Sequence, residues 1–515
     1  MWAIDDWARL DRFLMLGTES NTFYQSSKAL TKENAQTLMR CIGKDGPRAV
    51  NRIREISATG RAPKRDPAIF ALALAASVVN AETRKLALYV MPEVCHIGTD
   101  LFHFAAYVEQ FRGWGRGLRT AIGRWYTTKP PSDLAYQLIK YKERDGWSHR
   151  DLLRLSHPKP PTAQYDQLFN YATAGLPADW SYDTIVRQVI EAEFLKHDGV
   201  KTAAERIVKY DLPRECVPTE LLNAPQVWEA LLQNMPMTAM IRNLATMTRV
   251  GLFDMFSDNT KLVVSRLSDG EYLQRARVHP ISILSALHTY AQGHGERGHN
   301  TWTPVSQITD ALDEAFYGSF GLVEPSGKRI MVAIDTSGSM YYASPTVAGL
   351  PGLTSAQAAA AMAMITVASE PQCAVFGFSD GIPAKSITAL DISKHRRLDD
   401  VLAYIHTVKG GGTDCSLPMM VAQQQKAHID TFQIYTDNET WFGKIHPSQA
   451  LRSYRETMGM PAKLAVVAFT ATEFSIADPN DAGMMDFVGF DSSAPQLLAD
   501  FAKAPARPFV EIARV

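Results

Sequence analysis

The chain has 515 residues, 46% of them hydrophobic and 21% charged, with a formal net charge of -1. That is an ordinary soluble composition, long enough for two or three domains. No segment approaches the roughly 18 to 20 uncharged apolar residues of a membrane span, and the start at Met1-Trp-Ala-Ile-Asp5-Asp6-Trp7 lacks the basic and apolar regions of a signal peptide, which points to the cytoplasm. Five cysteines, an odd number without a Cys-x-x-Cys pair, argue against a disulfide framework and against a Cys-based zinc site.

Apolar residues at helical spacing predict helices over Glu33 to Ile42, Ala49 to Ile56, Ala68 to Val79, Ala81 to Met91 and Leu101 to Phe111. The pattern resumes over Ser132 to Lys142, His149 to Leu155, Tyr182 to Leu195, Pro225 to Gln233, Thr238 to Leu244 and Ile281 to Tyr290. Gly and Pro punctuate the joins at Gly43, Gly46-Pro47, Pro130-Pro131, Pro158 to Pro161 and Pro236. Short helices in series without strands suggest a stacked, solenoid-like array, although no strict sequence period is present.

Charge is divided unevenly along the chain. Residues 1 to 330 carry 40 Lys+Arg against 36 Asp+Glu, and residues 331 to 515 carry 13 against 18. The surplus concentrates in residues 101 to 160, with 11 basic against 5 acidic side chains. There, Phe111-Arg112-Gly-Trp114-Gly-Arg116-Gly-Leu-Arg119 and Lys140-Tyr141-Lys142-Glu-Arg144-Asp-Gly-Trp147 interleave cations with aromatic rings. Cations can neutralise phosphates and rings can stack on unpaired bases, so a nucleic-acid surface is one reading. The other is an amphipathic helical protein whose Trp and Tyr are core and whose Lys and Arg are solvated.

A boundary is expected at Val323-Glu-Pro325-Ser-Gly327-Lys, dividing the chain into 1–327 and 328–515. Beyond it, strands at Met331 to Ile334, Cys373 to Phe378, Phe432 to Tyr435 and Leu464 to Phe469 alternate with helices. The helices are predicted over Ser355 to Glu370, Leu398 to Val408, Ser416 to Lys426, Ser448 to Met458 and Pro495 to Lys503. That alternation is the pattern of a doubly wound α/β sheet.

The first of these strands ends in Asp335-Thr-Ser337-Gly-Ser339, in the loop position where open α/β sheets place ligands. One carboxylate and two hydroxyls make an incomplete oxygen shell for a hard divalent cation such as Mg2+. Two later loops can supply the rest: Gly410-Gly-Gly-Thr413-Asp414 and Thr436-Asp437-Asn438-Glu439. Asp335, Ser337, Ser339, Thr413 and Asp437 together resemble the metal-ion-dependent adhesion site of a von Willebrand factor A domain. The bland alternative for Thr-Ser-Gly-Ser is a strand-to-helix turn rich in capping residues. A nucleophile elbow would need Gly-x-Ser-x-Gly, and a phosphate loop would need Gly-Lys-Ser or Gly-Lys-Thr after the glycines.

Across nearly its whole length the chain resembles the Ro autoantigen, or TROVE-module, family. The resemblance rests on Gly17-Thr18-Glu19, Gly113-Trp-Gly-Arg116, Lys140-Tyr-Lys-Glu-Arg144-Asp-Gly-Trp-Ser-His149, Leu152-Leu-Arg-Leu-Ser-His157, Met235-Pro-Met-Thr238, Arg277-Val-His279-Pro280, Gly410-Gly-Gly-Thr-Asp-Cys-Ser416, Tyr435-Thr-Asp-Asn-Glu439 and Ile476-Ala-Asp-Pro479. Residues 161 to 218 show little that matches.

The resemblance implies a ring of HEAT-like α-helical repeats followed by a von Willebrand factor A-like α/β domain. It implies an RNA-binding component of a ribonucleoprotein acting in RNA quality control, with no catalysis. In the family, single-stranded 3′ ends of misfolded noncoding RNA enter the ring, and Y RNA binds the basic outer surface. Lys140, Arg144 and His157 match the family's Y RNA contacts, and Lys140 and Arg144, four apart, are expected on one helical face. Arg112, Arg116 and Arg119 are expected to add to that surface. The implied partners are Y-like RNA, misfolded RNA and a 3′ exonuclease such as polynucleotide phosphorylase, around a monomeric protein. A cation-dependent protein-interaction module is the alternative. An enzyme is disfavoured because no His, Lys or second carboxylate pairs obviously with the Asp335 loop as a general base.

Overall fold

The computed structural model describes residues 6–17, 22–24, 30, 35–59, 64–176, 187–276, 278–295, 299–342, 347, 352–380, 386–408, 410–437, 443–470, 476–478, 481–489 and 494–503. Its N-terminal part is helical: α1 (Asp6–Leu16), α2 (Gln36–Thr59), α3 (Asp66–Ala75), α4 (Ala81–Val94), α5 (Gly98–Phe111), α6 (Arg116–Thr128), α7 (Pro131–Lys140), α8 (His149–Ser156) and α9 (Ala163–Ala174). Strand β1 (Thr22–Tyr24) falls between α1 and α2, and a hairpin of β2 (Glu143–Arg144) and β3 (Trp147–Ser148) falls between α7 and α8. The array continues through α10 (Arg187–Phe194), α11 (Val200–Tyr210), α12 (Pro225–Asn234), α13 (Met237–Arg249), α14 (Asp258–Ser268), α15 (Gly270–Arg275), α16 (Pro280–Ala291) and α17 (Ser306–Gly318).

Alternate helices stack on one another. α2 packs on α4, α4 on α6 and α6 on α8, while α3 packs on α5. This is the two-layer logic of a helical-repeat array, in which each unit buries its apolar stripe only against its neighbours. α3, with the sequence Asp-Pro-Ala-Ile-Phe-Ala-Leu-Ala-Leu-Ala, is buried from Pro67 to Ala75. The two segments predicted at Glu33 to Ile42 and Ala49 to Ile56 stay distinct within α2: Asp45, with non-helical backbone (φ -155°, ψ 83°) just ahead of Pro47, separates two helices across a kink. Of the predicted helix over Tyr182 to Leu195, residues 182–186 lie outside the described residues.

The C-terminal part runs β4 (Arg329–Asp335), α18 (Ser355–Ser369), β5 (Gln372–Phe378), β6 (Ile387–Leu390), α19 (Leu398–His406), α20 (Leu417–Gln424), β7 (Thr431–Thr436), α21 (Pro447–Met458), β8 (Lys463–Ala468), β9 (Met484–Val488) and α22 (Ala494–Lys503). The strands form one sheet in the order β1-β9-β8-β7-β4-β5-β6, parallel throughout except at β5–β6. Strand β4 is central and apolar on both faces. Ile330, Val332 and Ile334 join the core that runs on into the helical array, and Met331 and Ala333 join a second core under α20 and α21.

The two parts meet at more than the connecting peptide. Glu370 accepts the backbone N–H groups of Ser326 (2.6 Å) and Gly327 (3.1 Å), fixing the connection itself. Arg397 pairs with Asp313, and the Leu398 N–H donates to the Tyr317 hydroxyl at 2.9 Å. At the far edge, β1 from the N-terminal part lies parallel on β9, and Arg12 donates to the Ala482 carbonyl at 2.7 Å. Among the described residues, no helix is long and apolar enough to cross a membrane.

Candidate functional site

The basic segment folds around the β2–β3 hairpin. Helix α7 stops at Lys140 because Tyr141 turns to extended backbone (φ -112°, ψ 97°). Asp145 (φ 52°) and Gly146 (φ 76°) then make a two-residue turn with both residues in the left-handed region, the Asp-Gly signature of a tight hairpin. Arg144, on β2, is exposed. The expectation that Lys140 and Arg144 share a helical face is therefore wrong: turn chemistry at Asp-Gly overrides the helical spacing.

Two contacts hold the hairpin down. His103 of α5 pairs with the Asp145 carboxylate, and the rings of Trp114 and Trp147 sit with centroids 5.3 Å apart. The tryptophan pair draws in the loop between α5 and α6, where Gly113 takes φ +82° as the helix unwinds. Arg112 closes α5 and Arg116 opens α6 on either side of Trp114. Arg112, Arg116, Arg119 and Arg144 are exposed, and among the described residues no carboxylate pairs with any of them.

Lys140 is half-buried. Its ammonium donates to the Tyr136 hydroxyl at 2.9 Å and lies 5.0 Å from that ring's centroid. Burial disfavours its charge, but the Tyr136 bond and the nearby Tyr141 and Glu215 outweigh this and raise its pKa. His157 is exposed in the left-handed conformation (φ 45°) that ends α8, at the opposite end of that helix from the hairpin, about 12 Å away by helical rise.

Other basic residues of the segment serve the fold instead. Arg124 donates to the Leu88 and Tyr89 carbonyls, Lys129 to that of His96 and Arg154 to that of Thr173. The sequence reading missed His103, Asp145 and the Trp114–Trp147 pair as the parts that build this surface. The Asp-Gly dipeptide between Arg144 and Trp147 was the available signal.

The second cluster lies at the carboxyl edge of the sheet. Asp335 ends β4 with 1% of its surface exposed. It accepts the Ser337 N–H at 2.8 Å, the Thr413 hydroxyl at 2.9 Å and the Thr436 hydroxyl at 2.8 Å. The Ser337 and Ser339 hydroxyls are 3.1 Å apart. Asp437 follows Thr436 directly at the end of β7, so register alone carries it to the same edge. Burial raises the Asp335 pKa against the hydrogen bonds from Ser337, Thr436 and Thr413. The fully buried Cys415 thiol is pushed well up by burial and, to a lesser degree, by Asp335, Asp414, Asp486 and Asp437.

The glycine loop closes the cluster by close approach. A Cβ on Gly410 would come within 2.2 Å of the Thr336 carbonyl oxygen, and one on Gly411 within 2.2 Å of Asp380 Oδ1. Asp380, after β5, belongs to this edge although sequence reasoning passed over it, and Thr436, read there only as the start of a ligand loop, is a donor to Asp335. Asp414 accepts from the Ser416 N–H (3.0 Å) and hydroxyl (2.6 Å) and so serves the start of α20.

Among the described residues no three His, Cys, Asp or Glu side chains gather in metal-binding geometry, so any ion here must take hydroxyl oxygens. Asp335 has no cationic side chain against it among the described residues. A buried carboxylate with its charge disfavoured, beside the paired hydroxyls of Ser337 and Ser339, fits a hard oxygen-seeking cation.

Comparison with known proteins agrees in both parts. The TROVE domain family matches residues 1–209 and 208–289, and the Ro60 vWA domain family matches residues 329–502. The chain is 40% identical over 509 residues to the RNA-binding protein RO60 of Deinococcus radiodurans, covering 98% of this chain and 94% of that one. It is 36% identical over 579 residues to the RNA-binding protein RO60 of Caenorhabditis elegans, covering 97% and 88% respectively. The crystal structure of the Deinococcus radiodurans RO (RSR) protein superposes with a TM-score of 0.90 at 39% identity, covering 97% of this chain and 99% of that one.

Proposed function

This chain belongs to the Ro60 family of TROVE-domain proteins, and from that premise we propose that it is an RNA-binding scaffold whose outer contact surface centres on the β2–β3 hairpin. The observation that carries this is the convergence of Arg112, Arg116 and Arg144 around the Trp114–Trp147 pair, all three exposed and without carboxylate partners among the described residues. Unpaired guanidinium groups on a rigid support suit phosphate, because their charge is not already neutralised. Lys140, Arg119 and His157 extend the surface on both sides.

The RNAs that fit are structured small RNAs of the Y type on this outer surface, and misfolded noncoding RNAs whose single-stranded 3′ ends need a separate site. The work is then ribonucleoprotein assembly and RNA quality control in the cytoplasm. The protein contributes as a monomer and without catalysis, and a 3′ exonuclease such as polynucleotide phosphorylase acts as the RNA-linked partner. The relatives are named for RNA binding, which supports a binding role over an enzymatic one.

A second reading applies to the other domain and does not compete. The buried Asp335 carboxylate with Ser337, Ser339, Thr413 and Asp437 supports a divalent cation, Mg2+ by donor type, with an acidic side chain of a protein partner completing its shell. Such an interaction fails in EDTA while RNA binding does not.

The test is a titration against a hairpin RNA with and without a single-stranded 3′ tail, repeated across salt concentrations. Tail-dependent, strongly salt-sensitive affinity is expected. Absence of RNA binding at low salt overturns the proposal and leaves the cation-dependent reading.

A further inference from the structure

His103 lies where three elements meet. It projects from α5, its Nδ1 faces the Asp145 carboxylate in the hairpin turn, and its Nε2 lies 3.7 Å from Asp66 Oδ1 at the start of α3. The side chain is mostly enclosed, at 16% exposure, while Asp66 and Asp145 are 48% and 44% exposed. A neutral imidazole has one N–H and can satisfy only one of two carboxylates; the imidazolium has two and can satisfy both. The ring is therefore placed so that its proton count sets how firmly the hairpin is tied to α3 and α5.

We propose that His103 is the positioning residue of the RNA-contacting hairpin, a proton-dependent pin that holds Arg144 in place and couples RNA affinity to pH. This rests on the reading that the hairpin surface binds RNA. The groups facing the ring are Asp66 from α3, Asp145 from the hairpin with Glu143 and Arg144 beside it, and Tyr107 one turn along α5. Burial, with Asp66 and Asp145, pushes the Tyr107 phenol up to about 12, so it stays neutral through the working range. Arg65, next to Asp66, is engaged by Asp100 at 2.8 Å. The ring thus faces two anions, and histidine changes charge between about pH 5 and 8. By reciprocity, a protonated pin that favours RNA binding is itself favoured by bound RNA.

The experiment is fluorescence anisotropy of the full chain with a labelled hairpin RNA at constant ionic strength, from pH 8 to pH 6. Wild type is expected to tighten by about fivefold or more as pH falls, the lower range of typical site-to-site coupling. His103→Gln, with a neutral side chain at every pH, should show no such change and should bind as wild type does at pH 8. Asp66→Asn, which leaves His103 and the hairpin sequence intact, should also flatten the profile and covers the case in which His103→Gln folds poorly. His157→Gln separates the competing source: if it flattens the profile and His103→Gln does not, the proton sits on an RNA-facing imidazole and the pin is refuted. A pH-independent wild type refutes it as well. Arg144→Ala tests the underlying surface separately, since unchanged affinity there defeats the hairpin reading itself.

Discussion

Arg144 stands on β2 beside a two-residue turn and is exposed, whereas Asp335 ends a central strand with 1% of its surface exposed and three donors on its carboxylate. The first site is local: residues 140 to 148 carry its turn and its cation, and two contacts, His103–Asp145 and Trp114–Trp147, hold it to the scaffold. The second is assembled from loops roughly a hundred residues apart that only the parallel register of β4, β5 and β7 brings together. Exposed charge on a hairpin can be removed at small structural cost; a buried carboxylate cannot.

The sharpest break in that comparison is Asp335→Ala. It should abolish Mg2+ binding by calorimetry, with Asp335→Asn as the shape-preserving companion, while hairpin-RNA affinity stays within about twofold. The Ala variant should also lower stability, because three donors lose their acceptor and each buried one costs about 1–3 kcal/mol when left unsatisfied. Gly410→Ala should reproduce the loss of Mg2+ sterically, since its Cβ would press on the Thr336 carbonyl. RNA binding lost in a still-folded Asp335→Asn protein would merge the two sites and end the contrast.

Acid should push the two regions in opposite directions. His149, fully buried behind the hairpin with Nδ1 2.8 Å from the Tyr126 hydroxyl, is held down to about 3 by burial. A depressed folded pKa means that the unfolded chain binds the extra proton below about pH 6.5, so this stability is complete above that value and is lost as pH falls. At pH 5 the loss is about 2 kcal/mol, from roughly 1.4 kcal/mol per unit of the 1.5-unit interval. His279, lowered to about 4 by burial, adds to it.

Asp335 has the opposite sign: its pKa is raised, so its contribution is complete below the ordinary carboxylate value and is lost as pH rises through the folded value. Hydrogen exchange between pH 7.5 and 5 should therefore show α5 to α8 loosening before β4 and β7. Uniform loosening would refute the assignment of acid sensitivity to His149.

How much of this was legible beforehand follows from the same contrast. The sheet-edge loops could be read because an apolar strand followed by Asp-x-Ser-x-Ser is a long-range pattern that leaves a short-range trace, and Met331 to Ile334 are buried as that pattern requires. The hairpin was misread because helical spacing was carried from Lys140 to Arg144, up to Asp145-Gly146, where two left-handed residues dictate a turn. Strand β1 left no trace: three residues between helices have no periodicity, and only β9 gives them a partner. Helix α11 was missed because its buried stripe is just Ala203 and Ile207, too thin to stand out among its charged residues.

Replacing both Arg116 and Arg144 with Ala should weaken structured-RNA binding and flatten the dependence of log affinity on log salt by about 0.7–0.9 per lost phosphate contact. Because neither side chain is paired with a carboxylate among the described residues, thermal stability should hardly move. An unchanged salt slope would show that these guanidinium groups do not meet phosphate.

The smallest change bears on support instead of charge. Gly146→Ala adds a methyl group that meets nothing within 4 Å, so its only cost is the left-handed backbone at φ +76°, about 1–2 kcal/mol. Since Asp145 already occupies the other left-handed position of the turn, relief of that strain must reshape the hairpin and move Arg144 while the helices beneath keep their packing. RNA affinity should fall by about fivefold, the equivalent of roughly 1 kcal/mol, with the salt slope retained because no cation has been removed. If affinity and slope fall together, the hairpin has detached as a whole, and its grip on α5 through His103 and on Trp114 through Trp147 is weaker than the turn that shapes it.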